Sequence, residues 1–136
     1  MMWHDKYIGL PYKSLGRDTK GIDCYGLVYL IYKNELGIFL PKMDLGYLNG
    51  LDTKEVAPVF HDGLELFIKS GFVKEVNGFK PFDLLLFERN GYLSHIGTCI
   101  SKDKFLHADL GSASCIERVK HRYWKNRLKG VYRYVN

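Results

Sequence analysis

A chain of 136 residues, 46% hydrophobic and 26% charged, holds enough apolar material for one self-sufficient core and too much for a disordered segment. Its formal charge of +5 is modest and favours anionic surroundings without naming a polymer. Three cysteines, Cys24, Cys99 and Cys115, are odd in number, widely spaced and without a CxxC pair, which argues against a disulfide scaffold and against a structural zinc site.

The opening stretch MMWHDKYIGLPYK has no apolar block of signal-peptide length, and no later run approaches a membrane span. The expectation is a protein made and folded in the cytoplasm, delivered by another route if it acts elsewhere. No repeat, low-complexity tract or Pro/Gly/Ser linker interrupts the chain, so residues 1–136 read as a single domain.

The first clear element is a helix over 24–36. Apolar residues fall at Cys24, Leu27, Val28 and Ile31, the spacing of a core-facing stripe. Asp23 suits the N-cap, because its carboxylate accepts from free N–H groups of the first turn. Gly37 suits the stop, with Pro41 beyond it. A second helix is predicted over 54–70, ended by Gly71, with Pro58 and Gly63 as points where it would split or start late. The pattern then shortens: FDLLLFE (82–88), SHIGTCIS (94–101), KFLHADL (104–110) and ASCIERV (113–119) read as strands. RNG (89–91) and SKDK (101–104) read as hairpin turns. KHRYWKNR (120–127) reads as a short helix and KGVYRYV (129–135) as a last strand. Helices first and an antiparallel meander afterwards make an α+β domain.

A cysteine attacks as its thiolate, and a helix N-terminus lowers a thiol pKa through its partial positive charge and free N–H groups. Those N–H groups also suit an oxyanion. Alone, Cys24 still reads more readily as a buried packing residue, the common fate of a free cysteine. A base changes that balance. Strand alternation places His95, Gly97 and Cys99 on one face, with small residues beside the imidazole. His107 follows twelve positions later, where a hairpin through SKDK brings it beside His95 as an orienting partner.

These residues carry a resemblance to the NlpC-type cell-wall cysteine peptidases, a papain-like family. The family's D-C-S-G-L-V helix start is matched by Asp23-Cys24-Tyr25-Gly26-Leu27-Val28. Its S/T-H-V/I-G strand is matched by Ser94-His95-Ile96-Gly97, and its K-F/Y-I-H-A strand by Lys104-Phe105-Leu106-His107-Ala108. Gly9-Leu10-Pro11-Tyr12 matches a G-x-P-Y segment, and Pro81-Phe82-Asp83-Leu84-Leu85 a P-x-D-L strand. The resemblance runs from Gly9 to Val131 and implies a papain-like fold of N-terminal helices on an antiparallel sheet.

It implies further that Cys24 is the nucleophile, His95 the base and later acid, and His107 the orienter. Tyr12, Asp23, Tyr25 and Ser94 would stand on the substrate or oxyanion side. The reaction would be amide hydrolysis through a thioester, on peptidoglycan stem peptides, typically between D-glutamate and a diamino acid, with no cofactor or metal. Tyr25 departs from the family's usual Ser and puts recognition of the stem peptide's amino end in question. The form Y-I-G-L-P-Y, G-R-D and G-x-D-C looks more like a phage tail-associated branch, which implies tail proteins as partners.

Other classes compete. Cys24, His95 and His107 are all zinc-ligand types, but the short spacings of structural sites are missing. Basic residues from Arg118 to Arg133, interleaved with Tyr123, Trp124 and Tyr132, suit a nucleic-acid backbone, yet more often form a solvated face. A catalytically silent papain-like module with Tyr25 filling its cleft, or an acyl transferase on the same Cys-His pair, is the remaining alternative. Cys99 and Cys115 read as packing residues; His4, His61 and His121 have no assigned role.

Overall fold

A computed structural model describes residues 2–43 and 53–135. The expected first helix forms as α1 (Cys24–Ile31) and continues as wider turns through Tyr32–Leu36. Gly37 stops it at φ 66°, a left-handed conformation that glycine adopts without a Cβ penalty. The stripe understates the helix, because all eight α1 residues are buried. The sequence explains this: leucines, valine and isoleucine fill one side, and the tyrosines on the other carry apolar rings, that of Tyr25 with a hydroxyl that donates to the Pro41 carbonyl. Tyr32, in the turns beyond, likewise donates its hydroxyl to the Phe82 carbonyl at 2.5 Å.

Helix α2 (Thr53–Lys69) runs unbroken through Pro58 and past Gly63, so neither residue splits it. Leu64 and Phe67 are buried beneath it, and Gly71, at φ 91°, turns the chain away. A small hairpin, β1 (Arg17–Asp18) and β2 (Gly21–Ile22), precedes α1. The remaining strands are β3 (Val73–Glu75), β4 (Leu84–Arg89), β5 (Tyr92–Cys99), β6 (Lys104–His107), β7 (Cys115–Arg118) and β8 (Leu128–Tyr134). They form one antiparallel sheet in the order β3-β8-β4-β5-β6-β7. The RNG turn is a two-residue connection with Asn90 and Gly91 both at positive φ, the geometry that matches strand twist in a tight hairpin. Residues 120–127 form a string of turns instead of the expected helix. Strands β1, β2 and β3 are too short for a periodic signal and were not anticipated.

Period-two alternation divides the sheet. Leu84, Leu86, Ile96 and Leu106 face α1 and α2 and build the main core. Leu85, Phe87, Cys99 and Phe105 face the other way, where Trp124, Val119 and Val131 close a second, smaller cluster. His95 stands on this second face against Trp124, with the rings 4.8 Å apart and nearly parallel. Asp83 fastens the sheet beneath it: its carboxylate accepts from Nε and Nη2 of Arg133 at 2.8 and 2.7 Å and from the Lys80 N–H at 2.8 Å.

Candidate active site

The site has two halves. On the helix side, Asp23 caps α1, its Oδ1 accepting from the Gly26 N–H at 2.7 Å. The same oxygen accepts from Arg17 Nη1 at 2.8 Å, and Oδ2 accepts from the Leu15 N–H at 2.9 Å. Arg17 completes the clasp by donating from Nε to the Lys42 carbonyl and from Nη2 to that of Met43. The G-R-D and G-x-D-C stretches are therefore two parts of one device that holds the start of α1. Gly26 makes it possible: a Cβ there would stand 1.9 Å from the Gly16 carbonyl oxygen, so the hairpin can close on the helix only over glycine. With the Gly26 N–H on Asp23 Oδ1 and the Leu27 N–H on the Asp23 carbonyl, the N–H groups of Cys24 and Tyr25 are the donors of the helix end without a partner among the described residues.

Cys24 is 9% exposed and lines a cleft of about 730 Å³ together with Tyr12, Asp23, Ser94 and His95. Tyr25 takes another direction. It is fully buried, donates its hydroxyl to the Pro41 carbonyl at 2.6 Å, and packs edge-on against Phe67 with Arg17 over its ring. The residue that replaces serine after the cysteine thus turns into the core, and it is not among the described residues lining the cleft. Tyr12 reaches the cleft from a segment pinned by Ser114, whose backbone and side chain exchange three hydrogen bonds with Gly9 and Leu10.

On the sheet side, His95 and His107 are both buried, with His95 Nε2 2.8 Å from His107 Nδ1. Gly97 allows this approach, since a Cβ there would meet the Phe105 ring at 2.7 Å and His107 Cβ at 3.3 Å. His107 Nε2 lies 2.5 Å from Glu117 Oε2, which also accepts from Trp124 Nε1 at 2.8 Å. His95 Nδ1 is 3.9 Å from Asp109 Oδ1, and Asp109 is held by Arg89 through two contacts of 2.9 and 3.2 Å. Arg89 and Asp109 also line the cleft.

Burial sets the protonation states. It pushes the Cys24 thiol up to about 12, and Asp23 adds to the rise against the Ile96 backbone N–H and Arg89. The helix end therefore positions the thiol without ionising it, contrary to the lowering expected from a helix N-terminus. Burial also holds His95 well below its ordinary value, with His107 and Arg89 adding to the effect and Asp109 opposing it. His107 is lowered by burial despite Glu117. Burial alone would raise the Asp109 carboxyl, but Arg89 and His95 bring it below the usual range. The resting pair is a neutral thiol and a neutral imidazole. Among the described residues no hydrogen bond joins the Cys24 sulfur to the His95 ring; the Ile96 N–H, one residue along, is the donor that opposes the rise of the thiol. With His95 Nε2 on His107, Nδ1 is the ring nitrogen left for a partner in the cleft.

Several residues of the site had no assigned role from the sequence. Asp109 lies two positions after His107, just past the end of β6. RNG makes Arg89 part of a turn, and ASCIERV makes Glu117 an ordinary strand residue. Trp124 belonged to the basic, aromatic stretch; it is 3% exposed and covers His95, so it is not free to stack on bases. His61 accepts the Leu93 N–H at 2.7 Å and ties α2 to β5. Cys99 is a core residue, whereas Cys115 is partly exposed, 3.9 Å from His107 Nε2. Among the described residues the one grouping of His, Cys and carboxylate donors close enough to share an ion is His107, Cys115 and Glu117, a different set from Cys24, His95 and His107.

A cysteine at a buried helix start, facing a strand histidine across one cleft, on an antiparallel sheet, defines a papain-like α+β protein. The chain belongs to the NlpC/P60 family, whose model matches residues 9–133. It is 29% identical over 137 residues to gamma-DL-glutamyl hydrolase of Bacillus subtilis (strain 168), covering 97% of this chain and 28% of that protein. It is 26% identical over 128 residues to murein DD-endopeptidase MepS/murein LD-carboxypeptidase of Escherichia coli (strain K12), covering 94% of this chain and 57% of that one. The chain thus spans between about a quarter and just over half of these relatives. Among solved structures it resembles a NlpC/P60 family protein from Bacillus cereus ATCC 10987 (TM-score 0.68, 22% identity, 96% of this chain and 37% of that one). It also resembles the NlpC/p60 domain of peptidoglycan hydrolase SagA (TM-score 0.62, 19% identity, 94% and 90%). At these identities the structures speak to the fold alone. No described helix is long and apolar enough to cross a membrane.

Proposed function

We propose that this chain is a cysteine peptidase that hydrolyses amide bonds in peptidoglycan stem peptides, between D-glutamate and a diamino acid. Cys24 attacks the carbonyl carbon while its proton passes to His95 Nδ1. The resulting imidazolium returns a proton to the departing amine, and water then hydrolyses the thioester with His95 again as base. His107 orients His95 through Nε2. The open N–H groups at the start of α1 suit the developing oxyanion. Tyr12 and Ser94 line the cleft for the substrate. Burial, with the Asp23 and Asp109 carboxylates adding to it, holds the Tyr12 phenol far above its ordinary value, so it is a donor at any working pH. Asp23 is the weaker candidate for binding a substrate amine, since three donors already occupy its oxygens.

The observation that carries this reading is the single cleft shared by the Cys24 thiol and His95, whose other nitrogen is bound to His107. The direction of Tyr25 supports it over a silent module, because that side chain leaves the cleft open. The test is digestion of purified peptidoglycan by the wild type and Cys24→Ala, with fragments identified by mass. The expected outcome is release of peptides cut after D-glutamate by the wild type and a loss of at least about 10³-fold in the variant. Equal release by both would refute it for this substrate. The finer reading, a tail component of a phage or prophage reaching the wall within a virion, rests on the G-R-D and G-x-D-C form. It is tested by mass spectrometry of purified particles.

A further inference from the structure

We propose that Glu117 is a positioning residue that sets the tautomers of both histidines, so that the nitrogen facing Cys24 is a bare acceptor. The effect on rate rests on the cysteine-peptidase reading above; the proton positions do not. The reasoning follows the chain of contacts inward from the sheet edge. A carboxylate oxygen only accepts, so the 2.5 Å contact between Glu117 Oε2 and His107 Nε2 requires a proton on that nitrogen. Burial keeps His107 neutral, and a neutral imidazole carries one N–H. His107 Nδ1 is then a lone pair. The 2.8 Å contact to His95 Nε2 must in turn be donated by His95. His95 is neutral as well, so its Nδ1, on the cleft side, is left bare. That is the state a base needs in order to take the Cys24 proton.

Without Glu117 nothing in the pair selects this arrangement. The two imidazoles form an equally good hydrogen bond with both protons moved, and that alternative puts a proton on His95 Nδ1, where it faces Asp109 Oδ1 at 3.9 Å. Asp109 favours this unproductive form, so the sheet side needs a stronger bias at its other end. Glu117 supplies it through a much shorter contact. Trp124 strengthens the device in two ways. Its Nε1 donates to the same Glu117 oxygen at 2.8 Å, fixing the carboxylate, and its ring covers His95 face-on and His107 edge-on, which keeps water from the bond between them. Cys115 Sγ, at 3.9 Å from His107 Nε2, is a long and weak acceptor that cannot match the carboxylate.

The experiment is nitrogen-15 NMR of the histidine rings at neutral pH, in the wild type, Glu117→Gln and Glu117→Ala, alongside the peptidoglycan digestion. In the wild type both His95 and His107 are expected to carry the proton on Nε2. Glu117→Gln keeps an acceptor oxygen, which the Trp124 N–H holds in place, so its tautomers should match the wild type and its rate should stay within about threefold. Glu117→Ala should shift both rings toward the Nδ1–H form and lower the rate by at least about tenfold, through kcat more than KM. A proton on Nδ1 of either ring in the wild type would overturn the proposal, whether or not Glu117→Ala folds. Unchanged tautomers in a folded Glu117→Ala would overturn it too. If the wild type digests nothing, the peptidase reading fails while the ring spectra still decide the role of Glu117.

Discussion

The helix side and the sheet side of the cleft hold their reactive groups by different means. Cys24 is placed by neighbours in sequence: a cap one residue before it, a glycine two after it, and a hairpin within ten residues whose Arg17 closes on Asp23. His95 is placed by residues 12 to 29 positions away, through His107, Glu117 and Trp124. The difference extends to charge. The helix side is committed to an ion pair between side chains only 11% and 12% exposed, whereas the sheet side keeps its two histidines neutral. One half holds a buried thiol at a helix start, and the other holds His95, bound to His107, on the same cleft.

Breaking the helix side should have the largest effect on stability. Arg17→Ala leaves the Asp23 carboxylate buried without its partner and strips the Gly16, Lys42 and Met43 carbonyls of their donor. The expected loss is about 3 to 5 kcal/mol in denaturant unfolding. A loss below about 1 kcal/mol would show that the pair is no more than a surface salt bridge.

The sheet side should reveal itself in acid. Both histidines have folded-state pKa values below the unfolded value of about 6.5, so below that pH the unfolded chain binds more protons. Their contribution is whole above about pH 6.5 and is lost as pH falls toward the folded values, at up to about 1.4 kcal/mol per pH unit for each ring. Unfolding midpoints from pH 8 down to 5, compared with a His107→Gln variant, should show the slope reduced by about half.

The smallest effect is the most pointed on the departure from the family pattern. Tyr25→Phe removes only the hydroxyl that reaches Pro41, and should cost about 1 kcal/mol with hydrolysis unchanged. A change in substrate preference would mean that Tyr25 acts in the cleft after all.

The same contrast explains what could be read in the sequence. Cap, stripe and stop sit within a few residues of one another, so α1 and Cys24 were legible, as were the β4–β7 meander and the Asn-Gly turn; β8 instead crosses back to lie between β3 and β4, a return that no local pattern announces. His107 was legible through the length of one hairpin. Glu117 and Trp124 were not, because they meet His107 and His95 only when β7 pairs with β6 and the turns at 120–127 fold back over the sheet. Tyr25 was misleading for a related reason: its position beside Cys24 is one helix step, about 100° round the axis, and that step points it at α2 and Pro41. The burial that raises the Cys24 thiol is likewise a property of the whole core, which a local cap cannot reveal.

The measurement that bears most directly on the central claim is the rate of alkylation of Cys24 by iodoacetamide against pH, mapped to the residue by mass spectrometry. A thiol held at about 12 and lacking a standing ion pair should react about tenfold faster for each pH unit, without a plateau, from pH 7 through 9. A high, flat rate between about pH 5 and 8 would reveal a thiolate–imidazolium pair already formed at rest, and would contradict a neutral Cys24 that waits for His95.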